Sequence, residues 1–311
     1  MNKLYDNLKK YGRLKLNESL AKHTTFKIGG PARYFVTVEK TDQLVGLLNF
    51  LSQNGHEYFV LGGGSNMLMP DDGFDGVAVK IKTDGLCLKG QTIEAESGVM
   101  LAQIVNFCAQ NSLTGLEWAA GIPGTIGGGV AGNAGAMGLD FSKSVSRVQI
   151  WREGEVMEIE NQECGFVYRS SAIKQNKWTV LRAWFDLKKG DKKDIMALMQ
   201  KYFFQRSCRI TSNPTSGCTF RNVSLSEYKG DQSELDPIFV ERGKVPAGWL
   251  IEKAGAAGLA KGGARLSAQH SNIIENFDQA KAEDVQKLIE MIKEKVYTKF
   301  SVNLQEEMQI L

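Results

Sequence analysis

The sequence predicts an α+β fold spread over two or three domains. Three observations carry that expectation. Strand-like and helix-like segments are interspersed along the chain rather than gathered into blocks. Two stretches of small residues, LGGGSNML at 61–68 and GIPGTIGGGVAGNAGAMG at 121–138, break the periodic segments into groups. At 311 residues the chain is long enough to bury more than one core.

The first group opens with RYFVTV (33–38), which alternates like a strand. Thr41 to Asn54 follows with Leu44, Leu47, Leu48 and Leu51 at helical spacing, and Asn54-Gly55 stops it. YFVLG (58–62) and GVAVKI (76–81) read as buried strands, so this group is a small βαβ unit whose second strand feeds the GGGSN loop. In the second group a strand at 93–96 precedes a helix at 101–111, and strands at 145–151, 155–159 and 179–187 follow the long glycine loop. Lys192 to Arg206 reads as an amphipathic helix leading to the last group. That group holds a strand at 216–220, an Ala/Gly-rich stretch at 246–263 and a strand at 272–276. A long helix from about Ala280 to Tyr297 places Val285, Leu288, Ile289, Ile292 and Val296 on one face, and SVNLQEEMQIL reads as a final strand.

Composition excludes several classes. A net charge of +3, with basic residues spread along the chain, gives no footprint for nucleic acid or a membrane surface. No apolar run reaches spanning length and the first residues have no secretory core, so a cytoplasmic protein is expected, without membrane insertion and without an obligate protein partner. Five cysteines with no CxxC pair and three scattered histidines predict neither a disulfide framework nor a metal site.

The glycine stretches carry the first functional expectation. A segment that gives up side chains gives up packing, so something else must hold it. Glycine lets backbone N–H groups approach an anion closely, and two such stretches suggest a ligand with a diphosphate, such as a dinucleotide cofactor. Gly127-x-Gly129-x-x-Gly132 matches GxGxxG on paper, but it follows no hydrophobic strand and NAGAMG after it cannot hold a regular helix. No glycine precedes Lys-Ser or Lys-Thr, so a P-loop is absent.

Seven motifs occur in order: HTTFKIGGPA (23–32), VLGGGSNML (60–68), GLEWAAGIPGTIGGGVAGNAGAMG (115–138), CGFVYRSS (164–171), SGCTFRN (216–222), PAGWLIEKAGAAG (246–258) and NLQEEM (303–308). From about Asn17 onward the chain resembles the UDP-N-acetylenolpyruvoylglucosamine reductase family, the MurB flavoenzymes. The resemblance implies a three-domain α+β flavoenzyme. FAD-binding subdomains of the vanillyl-alcohol-oxidase type would span 1–82 and 83–190. A substrate domain would span 191–300, and a C-terminal strand at 301–311 would carry the catalytic glutamate.

The cofactors implied are FAD and NADPH, the substrate is UDP-N-acetylglucosamine enolpyruvate, and no metal is implied. The FAD positions are Gly62, Gly63, Gly64, Ser65 and Asn66, then Pro123, Gly124, Thr125, Gly127, Gly128, Asn133 and Gly135. Arg169 matches the arginine that stabilises an enolate-like intermediate, for which a fixed bidentate charge is suited. Glu307 matches the family's glutamate; Glu306 stands where proline or a basic residue is usual and Gln309 where arginine is usual, so Glu306 is the fallback. Cys218 replaces the usual serine as proton donor, and a thiol is the better acid of the two. Arg206, Arg221, Asn222 and His270 match or adjoin substrate positions. The alternatives are another flavin oxidase or dehydrogenase of this fold, and a non-catalytic nucleotide-sugar binder; the SGCTF and QEEM motifs favour the reductase.

Overall fold

A computed structural model describes residues 3–208 and 211–311. The chain forms two compact units. One comprises Met1–Glu18, Ala32–Gly63 and Phe74–Cys208; the other comprises Ser19–Pro31, Gly64–Gly73 and Arg209–Leu311.

The first unit holds two sheets. In the four-stranded sheet, Pro31–Val38 and Tyr58–Leu61 both run parallel to Phe74–Ile81. The helix Thr41–Gln53 supplies the crossover, and its Leu44, Leu47, Leu48 and Leu51 pack on Val36, Val77 and Val79. Parallel neighbours need such a crossover, which makes the predicted βαβ unit. The strand Arg13–Ser19 also joins this sheet; it is an edge strand with no buried residue, so its sequence carries little apolar signal.

The second sheet is antiparallel and five-stranded, in the order Glu155–Glu160, Val145–Arg152, Thr179–Asp186, Thr92–Glu96, Leu86–Lys89. The helix Leu101–Gln110 covers it through Leu101, Ile104, Val105 and Cys108. Trp151 and Leu181 join the core of the first sheet, and Trp151 Nε1 donates to Asn49 Oδ1 at 2.6 Å.

Two elements of this unit differ from expectation. Within the glycine-rich stretch, Ile126–Ala131 form a short helix rather than a loop. Three consecutive glycines are poor helix formers, so tertiary contacts decide. The Ile126 amide donates to the Val99 carbonyl and the Gly127 amide to the Ser97 carbonyl, both at 2.9 Å, and a Cβ on Gly129 would land 2.7 Å from the Phe141 ring. The helix Lys192–Ser207 is present but is not amphipathic: Ile195 alone is buried, while Met196, Phe203 and Phe204 are exposed.

The second unit is built on the four-stranded order Thr215–Cys218, Ile273–Asn276, Ala264–Leu266, Ala260–Lys261, all antiparallel. The helix Ala282–Phe300 buries Val285, Leu288, Ile289, Ile292 and Val296, the face expected. Two short pieces from the N-terminal part of the chain complete this core with Phe26, Ile28 and Leu68. Asp71, from the second piece, accepts the amides of Ala282 at 2.8 Å and Glu283 at 3.1 Å, so an acid remote in sequence caps the long helix.

The final segment is extended but is not one strand. Val302, Leu304 and Met308 point inward. Its backbone bonds first to residues 219–221 (Arg221 amide to Gln305 carbonyl, 2.9 Å; Glu307 amide to Thr219 carbonyl, 2.8 Å). It then changes partner, and Gln309–Ile310 pair in parallel with Met67–Leu68.

Candidate active site

In the first unit the two glycine stretches meet. A Cβ on Gly63 would lie 2.7 Å from the Gly124 Cα, and one on Gly62 would lie 2.6 Å from Thr125 Oγ1. Main chain therefore faces main chain there, and only glycine allows it. Lys80, on the strand Phe74–Ile81, donates its Nζ to the Gly62 carbonyl. Burial, with a smaller contribution from Lys82, lowers the Lys80 pKa to about 8. A side-chain-free surface of this kind, with an ammonium group beside it, fits a diphosphate. The fit is uneven along the expected positions. The Gly127 amide is committed to Ser97, and the Asn133 side chain is buried, donating to the Val167 carbonyl at 2.9 Å and accepting the Ser142 amide at 3.1 Å. Gly128 has open space where a Cβ would sit, apart from Thr125 Oγ1 at 3.8 Å.

The CGFVYRSS motif lies against the glycine-rich stretch. Three hydrogen bonds tie them: Asn133 to the Val167 carbonyl, Arg169 Nη2 to the Gly135 carbonyl at 2.7 Å, and Ser171 Oγ to the Ala131 carbonyl at 2.7 Å. Val167 and Ser170 bond to each other in both directions, closing a tight turn around Tyr168 and Arg169. Arg169 has a φ of 57°, the left-handed region, which a side chain adopts only where its surroundings impose it. Its half-buried guanidinium lies 5.1 Å from the Tyr168 ring centroid. Arg206 sits elsewhere in this unit: its Nε donates to the Ala120 carbonyl at 3.1 Å and its Nη2 to the Trp118 carbonyl at 3.4 Å, bracing GLEWAAG.

In the second unit the structure brings Cys218 and Glu307 onto adjoining segments. Cys218 ends the strand Thr215–Cys218, half-buried and outside any disulfide, after Gly217 at a φ of 82°. The next residue, Thr219, accepts the Glu307 amide at 2.8 Å, and Phe220 pairs with Glu306. The Glu306 carboxylate pairs with Lys293 Nζ at 2.6 Å, on the long helix. Asn66 is in this unit, where its Nδ2 donates to the Glu307 carbonyl at 3.2 Å. Gly64 is packed on His23, whose carbonyl a Cβ would strike at 2.1 Å, and its own carbonyl accepts the Thr25 amide at 3.0 Å.

The substrate candidates of this unit adjoin the helix Ala247–Lys253. Asn222 Oδ1 accepts the Ala247 amide at 3.2 Å, and His270 Cε1 lies 3.6 Å from where a Gly248 Cβ would be. His270 Nδ1 accepts the Asn272 amide at 3.2 Å. Arg221 has a buried Nε with no hydrogen-bond partner among the described residues.

Sequence reasoning missed two residues that shape these sites. Asn272 is buried and grips the chain after Cys218: its carbonyl accepts the Thr219 amide at 2.7 Å, and its side chain bonds both the amide and the carbonyl of Phe220. The signal was a lone asparagine heading the apolar run Ile273–Ile274. Lys80 was the other, a lysine inside the apolar GVAVKI.

Comparison with known proteins decides the family. A family model described as FAD binding domain matches residues 32–159, and one described as the C-terminal domain of UDP-N-acetylenolpyruvoylglucosamine reductase matches 209–311. The chain is 36% identical to the UDP-N-acetylenolpyruvoylglucosamine reductase of Halalkalibacterium halodurans, covering 100% of this chain and 99% of the relative. It is 39% identical to that of Carboxydothermus hydrogenoformans, over 95% and 93%. The chain belongs to the UDP-N-acetylenolpyruvoylglucosamine reductase family. The crystal structure of the Thermus caldophilus enzyme (MurB) superposes with a TM-score of 0.77 at 29% identity, covering 96% of this chain and 98% of that one. As a member of the UDP-N-acetylenolpyruvoylglucosamine reductases, the chain is an FAD-dependent oxidoreductase with the α+β fold expected of it. Among the described residues no group of His, Cys, Asp or Glu is placed to hold a metal ion, and no helix is long and apolar enough to cross a membrane.

Proposed function

We propose that this chain reduces UDP-N-acetylglucosamine enolpyruvate to UDP-N-acetylmuramate, a peptidoglycan precursor, in the cytoplasm. Bound FAD would supply the hydride, drawn from NADPH, for the terminal vinyl carbon of the substrate. The division of labour is FAD binding by 1–82 and 83–190, substrate binding by 191–300, and the catalytic glutamate on 301–311. The loop residues Gly62 to Asn66, with Pro123, Gly124, Thr125, Gly127 and Gly128, hold the cofactor, and Asn133 and Gly135 shape the second loop.

Hydride addition leaves an electron pair on the carbon that bears the carboxylate, delocalised as an enolate. Arg169 stabilises that charge with its guanidinium. Cys218 then donates its thiol proton to the same carbon, giving a neutral C–H and a thiolate, which solvent reprotonates. Glu307 assists that intermediate. Arg206, Arg221, Asn222 and His270 bind the substrate, Arg221 through the UDP diphosphate.

The observation that carries this reading is the 2.8 Å bond from the Glu307 amide to the carbonyl next to Cys218, which holds the residues bearing an acid and a carboxylate on neighbouring segments.

The test is anaerobic visible spectroscopy of the purified protein. The flavin bands should bleach with NADPH and return when UDP-N-acetylglucosamine enolpyruvate is added. Bleaching without recovery would move the assignment to another flavin oxidoreductase, and a protein that takes up no FAD would end it.

A further inference from the structure

The strand Phe74–Ile81 sends Val77 and Val79 into the core under the helix Thr41–Gln53, together with Ile81. Side chains alternate across a strand, so Lys80 emerges on the opposite face. There its Nζ meets the carbonyl of Gly62, at the start of the Gly62–Gly64 turn. No carboxylate pairs with Lys80 among the described residues; its register partners on the flanking strands are Thr37 and Leu61. A half-buried ammonium whose polar partner is a carbonyl lacks a counter-charge inside the protein. The glycine turn has the complementary deficit, offering N–H groups but no charge.

We propose that Lys80 is the cation that recognises the diphosphate of FAD, and that it pins the Gly62 carbonyl as it does so. This rests on the chain being an FAD enzyme. An ammonium group acts on phosphate as a point charge, which suits a site whose remaining donors are main-chain amides. Lys80 thus does two jobs that a neutral donor would separate: it orders the turn and it balances the anion.

Among the described residues the ionisable groups acting on Lys80 are few. Lys82 acts on it from its own strand, the two flanking strands present Thr37 and Leu61, and the loop brings Gly62. A pH profile therefore reads Lys80 itself. With its pKa at about 8 in the free protein, Lys80 is charged at pH 7 and mostly neutral at pH 9.

The experiment is FAD binding to the deflavinated protein, followed by flavin fluorescence between pH 7 and pH 9, for wild type, Lys80→Gln and Lys80→Arg. At pH 7 the glutamine variant, which keeps a donor for the Gly62 carbonyl, should bind FAD roughly tenfold or more weakly, and the arginine variant within about threefold of wild type. The wild-type Kd should rise by up to about tenfold toward pH 9, because binding must then take up a proton, while both variants stay flat. Wild-type affinity in Lys80→Gln overturns the proposal. So does weaker binding combined with a flat wild-type profile, which would make Lys80 a pin and not a counter-charge. Thermal melting of each cofactor-free protein reports folding. If the glutamine variant does not fold, the contrast between the wild-type and Lys80→Arg profiles decides. A wild-type protein that binds no FAD at any pH would refute the cofactor assignment itself.

Discussion

The side-chain amide of Asn66 donates to the main-chain carbonyl of Glu307 at 3.2 Å, and the Asn66 carbonyl accepts the amide of Gln309 at 3.0 Å. One residue of the GGGSN motif thus holds the main chain on both sides of Met308, directly after the proposed catalytic glutamate. Asn66 acts as a positioning residue. Asn66→Ala removes the 3.2 Å bond and is expected to lower kcat about fivefold with KM within about twofold, in line with one hydrogen bond of roughly 1 kcal/mol. Steady-state kinetics check this, and a rise in KM alone would place Asn66 in ground-state binding instead.

Cys218→Ser should retain much of the activity, since a hydroxyl can deliver the same proton, and should lose inactivation by alkylating reagents. The other thiols bound the experiment. Burial pushes Cys108 and Cys164 up to about 12, so neither ionises near neutrality, and Cys87 and Cys208 are exposed in wild type and variant alike. Inactivation that is equally fast in Cys218→Ser would remove Cys218 from the reaction.

Arg169→Ala should bind FAD normally and turn over on the order of a hundredfold more slowly, because a charge aimed at the developing enolate is lost. The flavin spectrum and single-turnover reoxidation separate these effects. Loss of flavin from this variant would show that the bond to the Gly135 carbonyl, at 2.7 Å, serves the cofactor loop.

Gly63→Ala should fail to retain FAD. Its Cβ would press on the Gly124 main chain at 2.7 Å, with no side chain able to move aside. Flavin content after gel filtration measures this, and retention of a full complement would mean the two turns part easily.

Glu275 sets an acid limit on the second unit. Burial pushes its carboxyl up, but hydrogen bonds from Thr211, Ser267, Asn213 and Arg265 outweigh it and bring the pKa down to about 2. A depressed carboxylate stabilises the fold above its unfolded value, near 4.3, and that contribution fades as pH falls toward 2. Wild type should therefore exceed Glu275→Gln by on the order of 3 kcal/mol at pH 6, and the gap should close between about pH 4 and pH 2. Urea melts across this range check the sign; a gap that widened with acid would refute it.

What the sequence by itself determined is local and periodic. The spacing of Leu44, Leu47, Leu48 and Leu51 sufficed for the helix Thr41–Gln53, and the apolar face of Ala282–Phe300 was legible from Val285 to Val296. The ordered motifs sufficed for the family, because glycine runs and the residues beside them answer to a ligand rather than to packing alone. Tertiary structure alone decided the rest. Ile126–Ala131 is helical because Ser97 and Val99 take its first amides and Phe141 needs a side without Cβ, and no local propensity expresses that. The last residues change partner midway, from 219–221 to 66–68, although their alternation reads as one strand. Asp71 caps a helix some two hundred residues away in sequence, and Asn272, Lys80 and Asn66 act on main-chain atoms of residues remote from them. Hydrogen bonds to main chain are blind to the identity of the residue contacted, so they leave no pairwise trace in a single sequence, whereas burial of apolar faces does.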